Sequence, residues 1–144
     1  MNVAFDANIW ISFTIGKHLS VLGRILLDET YSKVLNIHGC PEILSEYITV
    51  VKRPKLRKYI KPERVQETLD LIARVTENHH LTRVVSGSRD EKDNYLLALS
   101  EIVPLDYLVT GDRDLLVLEH WQQTQIISFT EFVKLITPLG ESNR

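Results

Sequence analysis

Residues 3–6 read Val3-Ala4-Phe5-Asp6, and residues 107–112 read Tyr107-Leu108-Val109-Thr110-Gly111-Asp112. Each opens with three apolar or aromatic residues, the pattern of a short strand buried on both faces, and each then breaks at an acid. Val34-Leu35-Asn36-Ile37 and Ile126-Ile127 read as further strands, and Arg83-Val84-Val85 as a weaker one. Between these runs apolar residues recur at helical spacing. Leu19, Leu22, Ile25 and Leu26 form one set, and Ile43, Tyr47, Ile48 and Val51 another. Val65, Leu69, Ile72 and Val75 stripe a helix expected from Pro62 to Asn78; Leu96, Leu97, Ala98 and Leu99 follow, and Phe129 to Ile136 closes the chain. Strand–helix alternation predicts an α/β fold, with helices on both sides of a mainly parallel sheet. Ligands in such folds meet the sheet beyond the carboxyl ends of its strands, so Asp6 and Asp112 are expected at one edge.

Length and composition bound the answer. The chain has 144 residues, 44% hydrophobic and 25% charged, which predicts a single globular domain able to bury its own core. Cys40 is the lone cysteine, so neither an intramolecular disulfide nor a cysteine-rich zinc site is available. No apolar run nears the roughly 18 residues that span a bilayer, and the N-terminus lacks a basic region followed by an apolar stretch. A cytoplasmic protein without membrane contact is expected. His18, His38, His79, His80 and His120 show no metal-ligand spacing along the chain. Gly-x-Ser-x-Gly elbows and phosphate-cradling glycine motifs are absent, which argues against nucleophilic hydrolases and nucleotide-binding loops. Trp10 and Trp121 fit core or interface positions better than cofactor platforms.

Charge is unevenly spread. The net charge is −2, yet residues 52–64 hold Lys52, Arg53, Lys55, Arg57, Lys58, Lys61 and Arg64 against one acid, Glu63. One basic stretch thus sits in an otherwise acidic chain. It is either a solvated helical face or a surface that tracks phosphates, with Tyr59 available for stacking.

The acids have ordinary explanations one at a time. Asp6, Asp112 and the pair Asp90 and Asp93 each precede helical stretches and suit N-caps or first turns. Glu46 points about 130° from the apolar arc of its helix, a solvated position. Together those explanations weaken. A parallel sheet brings Asp6 and Asp112 to one edge, and a helix starting near Asp90 after the weak strand would start there too. No matching basic residues lie beside them in sequence. Like charges gathered without a counter-ion have raised pKa values and cost several kcal/mol. A divalent cation removes the conflict, and oxygen-only ligation suits Mg²⁺ or Mn²⁺ better than Zn²⁺.

These residues resemble a known family. Val3-Ala4-Phe5-Asp6-Ala7-Asn8, Ile43-Leu44-Ser45-Glu46-Tyr47 leading to Val51-Lys52-Arg53-Pro54-Lys55, Asp90-Glu91-Lys92-Asp93-Asn94, and Tyr107 to Leu115 are similar, in order and spacing, to the PIN domain. The likeness is narrower to the small prokaryotic PIN proteins that are toxin components of toxin–antitoxin pairs, and it runs from Val3 to about Pro138. It implies a three-layer α/β/α, Rossmann-like single domain and metal-dependent cleavage of single-stranded RNA by activated water. Carried over by position, it makes Asp6, Glu46, Asp93 and Asp112 the acidic site for one or two Mg²⁺ or Mn²⁺ ions. Asp90 and Asp114 become neighbouring acids, and Asn8 and Thr110 polar supports. A cognate antitoxin and a homodimer are further implications. Lys52, Arg53, Lys55, Arg57, Lys58 and Lys61 would then hold the RNA backbone. One departure stands out: Ala7 occupies a position where the family usually has a hydroxyl residue.

Two other readings stay open at this point. Asp6-Ala7-Asn8 and Gly111-Asp112-Arg113-Asp114 faintly resemble haloacid-dehalogenase-type phosphatases, but Asn8 stands where those enzymes need a general acid. The other is an RNA-binding or protein-interaction module that keeps the fold without turnover.

Overall fold

The computed structural model describes residues 1–16, 19–83 and 85–142. Strand β1 (Asn2–Phe5) buries Val3, Ala4 and Phe5 completely or nearly so, which is why it reads as a continuous apolar run. Helix α1 (Ala7–Ile15) follows at once and stops at Gly16, whose left-handed backbone returns its N–H to the carbonyls of Ser12 and Phe13. Helices α2 (Leu19–Leu27) and α3 (Glu29–Ser32) lead to strand β2 (Asn36–Gly39). Proline opens each of the next three helices, α4 (Pro41–Val51), α5 (Pro54–Arg57) and α6 (Pro62–Val75), at a position where its missing N–H costs nothing. Strand β3 (Thr76–Asn78) is followed by a long loop, a 3₁₀ turn (Glu91–Asp93) and α7 (Asn94–Ile102). Then come β4 (Tyr107–Val109), α8 (Arg113–Leu116), β5 (His120–Trp121), β6 (Thr124–Ile127) and α9 (Phe129–Ser142).

The six strands form one sheet in the order β3-β2-β1-β4-β6-β5. Every pairing is parallel except β5 with β6. The three-layer α/β/α architecture is therefore as expected. The chain builds outward from β1 to β2 and β3, then crosses to β4 on the other side of β1. That reversal places the topological switch point at the carboxyl ends of β1 and β4. Phe5 is registered with Val109, so Asp6 and Thr110 emerge side by side.

Several boundaries differ from the sequence reading. The second strand begins at Asn36 rather than Val34, because the amides of Val34 and Leu35 close the end of α3 onto the Tyr31 carbonyl. The helix from Pro62 ends at Val75, and Thr76 to Asn78 form the edge strand. Their backbone pairs with β2, a long-range gain that residue pattern does not reveal. Arg83 and Val85 are not in a strand, and Val84 of that expected element lies outside the described residues, as does His18. The last helix runs to Ser142, beyond Ile136. No helix among the described residues is long and apolar enough to cross a membrane.

Two features lock the core behind the switch point. Phe5 packs edge-on against Trp10 and Phe132, at centroid distances of 5.6 and 5.3 Å. On the helical side, the fully buried Tyr47 of α4 lies 2.6 Å from Thr14 of α1, and Thr14 lies 3.0 Å from Thr68 of α6. Thr14 directs its hydroxyl toward the Trp10 carbonyl, so the Tyr47 hydroxyl is the donor to Thr14. Tyr47→Phe leaves the ring packed but deletes that donor. It is expected to lower the unfolding free energy by about 1 kcal/mol with an unchanged denaturant slope, measured by urea titration.

Candidate active site

The carboxylates sit around the switch point, and the fold delivers each differently. Asp6 occupies the N-cap position of α1, yet its side chain makes no cap hydrogen bond. It is 3% exposed, and its Oδ2 accepts from the Thr110 hydroxyl at 2.7 Å and from Asn8 Nδ2 at 3.2 Å. Thr110 Oγ1 in turn accepts the Asp112 amide at 3.0 Å, and Asn8 Oδ1 accepts the Gly111 amide at 3.2 Å. Thr110 and Asn8 thus bind the end of β1 to the end of β4. Ala7 does not leave Asp6 loose, because these two donors hold it.

Asp93 repeats the anomaly. It occupies the N-cap position of α7 without a side-chain cap, is 5% exposed, and its Oδ2 is buried with no hydrogen-bond partner among the described residues. Asp90 and Asp112 do act as caps, accepting from Lys92 N at 3.1 Å and Asp114 N at 2.9 Å. Carboxylate oxygens of Asp90, Asp93 and Asp114 all lie within 4.8 Å of one another, whereas Asp6, Glu46 and Asp112 join no such group of three among the described residues. Glu46, expected on a solvated face, is half-buried beneath Tyr95 of α7, whose hydroxyl donates to Glu46 Oε2.

Electrostatics record the crowding. Burial pushes Asp6 up to about 6, opposed by the Thr110 hydrogen bond and reinforced by the charges of Glu46 and Asp112. Asp93 is also held well above the carboxylate range, by burial first and then by the facing carboxyl of Asp112, with Asp6 and Asp90 adding to the effect. Among the described residues no basic side chain pairs with Asp6, Glu46, Asp93 or Asp112; the one arginine contact is Arg89 with Asp114 at 2.9 Å. An all-oxygen donor set with an unpartnered buried oxygen fits a hard divalent cation.

The PIN domain family model matches residues 2–114, a span that includes all of these acids. The chain belongs to the PIN domain family. Among solved structures, a chain of VapBC2 from Rickettsia felis bound to a DNA fragment from their promoter superposes with a TM-score of 0.58 at 16% identity, covering 89% of this chain and 98% of that one. That likeness is one of fold. No curated protein matches this sequence.

In this PIN domain the basic stretch flanks the acids through α4, which carries Glu46 and ends at the cap residue Lys52, about 9 Å further along the helix axis. Lys52, Arg53, Lys55, Arg57, Lys58 and Lys61 are all exposed. Arg64 is not part of that free surface: it bonds Glu67 at 2.8 Å and the Phe13 carbonyl at 3.2 Å, and covers the Phe13 ring. Tyr59 is 62% exposed, with the Lys58 ammonium 5.1 Å from its ring centre. A concave pocket lies elsewhere, between Phe13, Gly23, Leu27 and Leu71, with Arg24, Asp28, Arg64, Glu67 and Arg74 also in its wall. None of the switch-point carboxylates lines it. Sequence reasoning missed Tyr95, whose only signal was its place two residues after Asp93.

A carboxyl whose folded pKa exceeds its unfolded value stabilises the native state below the unfolded pKa and loses that contribution as pH rises through the folded one. With Asp6 raised to about 6 and Asp93 to about 8, stability in chelator is therefore expected to fall between about pH 4 and pH 8. Asp93→Asn removes one of the crowded charges. Its unfolding free energy at pH 8 without metal should exceed that of the wild type by on the order of 1–3 kcal/mol, measured by urea denaturation in EDTA.

Proposed function

We propose that this PIN domain is an Mg²⁺- or Mn²⁺-dependent endoribonuclease acting on single-stranded RNA, with Asp6, Glu46, Asp93 and Asp112 holding one or two ions directly or through water. The observation that carries the reading is the orphaned Asp93 Oδ2, buried among other carboxylates with no basic partner among the described residues. The four acids have the form of a prepared ligand set. Asp6 Oδ2, Glu46 Oε2 and Asp112 Oδ1 are each fixed by a donor from the protein, which orients the group before any ion arrives. Asp90 and Asp114 add negative charge at the rim, and Arg89 offsets part of it.

A divalent cation would supply Lewis acidity here, acidifying water and neutralising charge on the phosphodiester. The chain's own residues do the rest. Thr110 and Asn8 hold Asp6; Tyr95 holds Glu46 and, with its own ionisation pushed far out of range by burial and by Glu46, remains a donor. Lys52, Arg53, Lys55, Arg57, Lys58 and Lys61 grip the phosphate backbone, which adds affinity and little base choice. The family resemblance and the fold likeness to VapBC2 support a toxin role in the cytoplasm, with a cognate antitoxin covering the acidic site and a homodimer as the working assembly.

The decisive comparison is cleavage of a single-stranded RNA by wild type and Asp93→Asn in Mn²⁺. The variant is expected to lose at least about 100-fold in rate while keeping its circular dichroism spectrum. Equal rates would remove Asp93 from the site. A Mn²⁺-dependent rise in Tm should accompany activity in the wild type, and its absence would favour a binding module without turnover. Separately, the pair Arg57→Glu and Lys58→Glu should weaken RNA binding and flatten its dependence on salt, measured by anisotropy across a salt series.

A further inference from the structure

The pairing of β2 with β3 creates a second constellation that the carboxylate site does not use. His38 stands opposite Glu77 in the parallel register, and His79 follows as the chain leaves β3, its amide bonded to the Gly39 carbonyl at 2.9 Å. The histidines show no metal-ligand spacing along the chain, but strand pairing brings together two that are 41 residues apart. His38 Nδ1 lies 2.9 Å from His79 Nε2 and 3.8 Å from a Glu77 carboxylate oxygen, and all three candidate donor atoms fall within 4.8 Å of one another.

We propose that His38, His79 and Glu77 form a binding site for a borderline transition-metal dication of the Zn²⁺ class, separate from the acidic centre. Two imidazoles and a carboxylate are the donor set such ions favour, whereas Mg²⁺ prefers oxygen alone. Ligands about 2.0–2.1 Å from a tetrahedral ion lie about 3.3 Å apart, so the observed 2.9 and 3.8 Å bracket the required spacing. Small rotations of the half-buried His79 and the exposed Glu77 complete it, with water as a fourth ligand.

His38 is already oriented for the task. It is 7% exposed, and its Nε2 lies 3.0 Å from Asn2 Oδ1, an atom that only accepts. The proton of a neutral His38 ring is thereby placed on Nε2, and Nδ1 is left with a lone pair facing His79. Without an ion, His79 donates its Nε2 proton to that lone pair. On binding, His79 carries its proton on Nδ1 instead, and both lone pairs meet the cation. Asn2 is the positioning residue that fixes the His38 tautomer from β1, as partners of metal-bound histidines commonly do. The bound ion would clamp edge strand β3 to β2.

The test is Zn²⁺ titration of the untagged chain by calorimetry at micromolar protein, with Co²⁺ absorption as the spectroscopic readout. One equivalent of Zn²⁺ is expected in the wild type and in an Asp6→Asn, Asp93→Asn double variant. His79→Gln should raise the Kd at least tenfold, about the effect of losing a supporting contact and the least expected for a ligand. Asn2→Ala should raise it about tenfold with His79 intact, and His80→Ala should leave it unchanged. Binding that survives His79→Gln, disappears in the double variant, or is absent from the wild type overturns the proposal.

Discussion

Asp6 and Asp93 are buried carboxylates that feel the charges of Asp112 and, for Asp6, of Glu46, and they have no basic partner among the described residues. Like charges in a poorly solvated site cannot all ionise without a large cost. The protein has two ways out: bind protons, which raises the pKa values, or bind a cation, which lets the carboxylates stay charged. Most features of the switch point follow from this constraint. Asp6 and Asp93 sit where helices begin, yet neither caps its helix. An N-cap aspartate normally satisfies orphan amides and gains about 1 kcal/mol. Withholding that bond from two helices is a local loss, of the kind natural sequences tolerate where function sets the requirement.

The sheet decides that the acids meet at all. Because β1 and β4 are parallel neighbours registered through Phe5 and Val109, the next residue of each strand must emerge at the same height. The Asp6 amide bonds the Val109 carbonyl at 2.9 Å, and the Thr110 amide bonds that of Ile127 at 3.0 Å, so the ladder continues one step past the strands. Thr110 then serves twice: its hydroxyl donates to Asp6 and accepts from the Asp112 amide. Asp93 arrives by another route. Asn94 Oδ1 gathers the amides of Gly87 and Ser88, and Gly87 lies so near Trp121 that an added Cβ would meet the ring at 2.4 Å. The loop before α7 is therefore packed into place without a strand.

That contrast explains what could be read from the residues. Asp6 and Asp112 were legible because each follows an apolar run that only a central strand explains. The family resemblance offered Glu46 and Asp93 as site candidates, and single-helix geometry missed the burial of both. A helical wheel sends Glu46 to solvent, since it contains nothing of Tyr95 on another helix. Asp93 looks like an ordinary first-turn acid until its burial is known. Strand β3 was hidden for a related reason. Thr76-Glu77-Asn78 has no apolar residue and continues a helical stripe, so only hydrogen bonds from β2 make it a strand. Tertiary pairing overrides local preference most easily at such short edges.

The same pairing separates two kinds of metal chemistry within one sheet. At the switch point the candidate donors are all oxygens, and burial first, with neighbouring carboxylates adding to it, raises the pKa values of Asp6 and Asp93. At the β2–β3 edge the donors are two imidazoles and one exposed carboxylate, and burial together with the facing His79 holds His38 below its ordinary value. Crowded carboxylates at the switch point would be relieved by a bound cation, and binding there would then couple to folding. The histidine edge carries no such strain, because its two rings satisfy one another by a shared hydrogen bond when no ion is present. An ion at that edge must displace this bond. Its affinity therefore depends on how well Asn2 has oriented His38 beforehand, while affinity at the switch point depends on how much repulsion the cation removes. Under the two proposals the sites would select different ions and respond to different substitutions, although the same central strand, β1, supplies Asn2 to one and leads into Asp6 of the other.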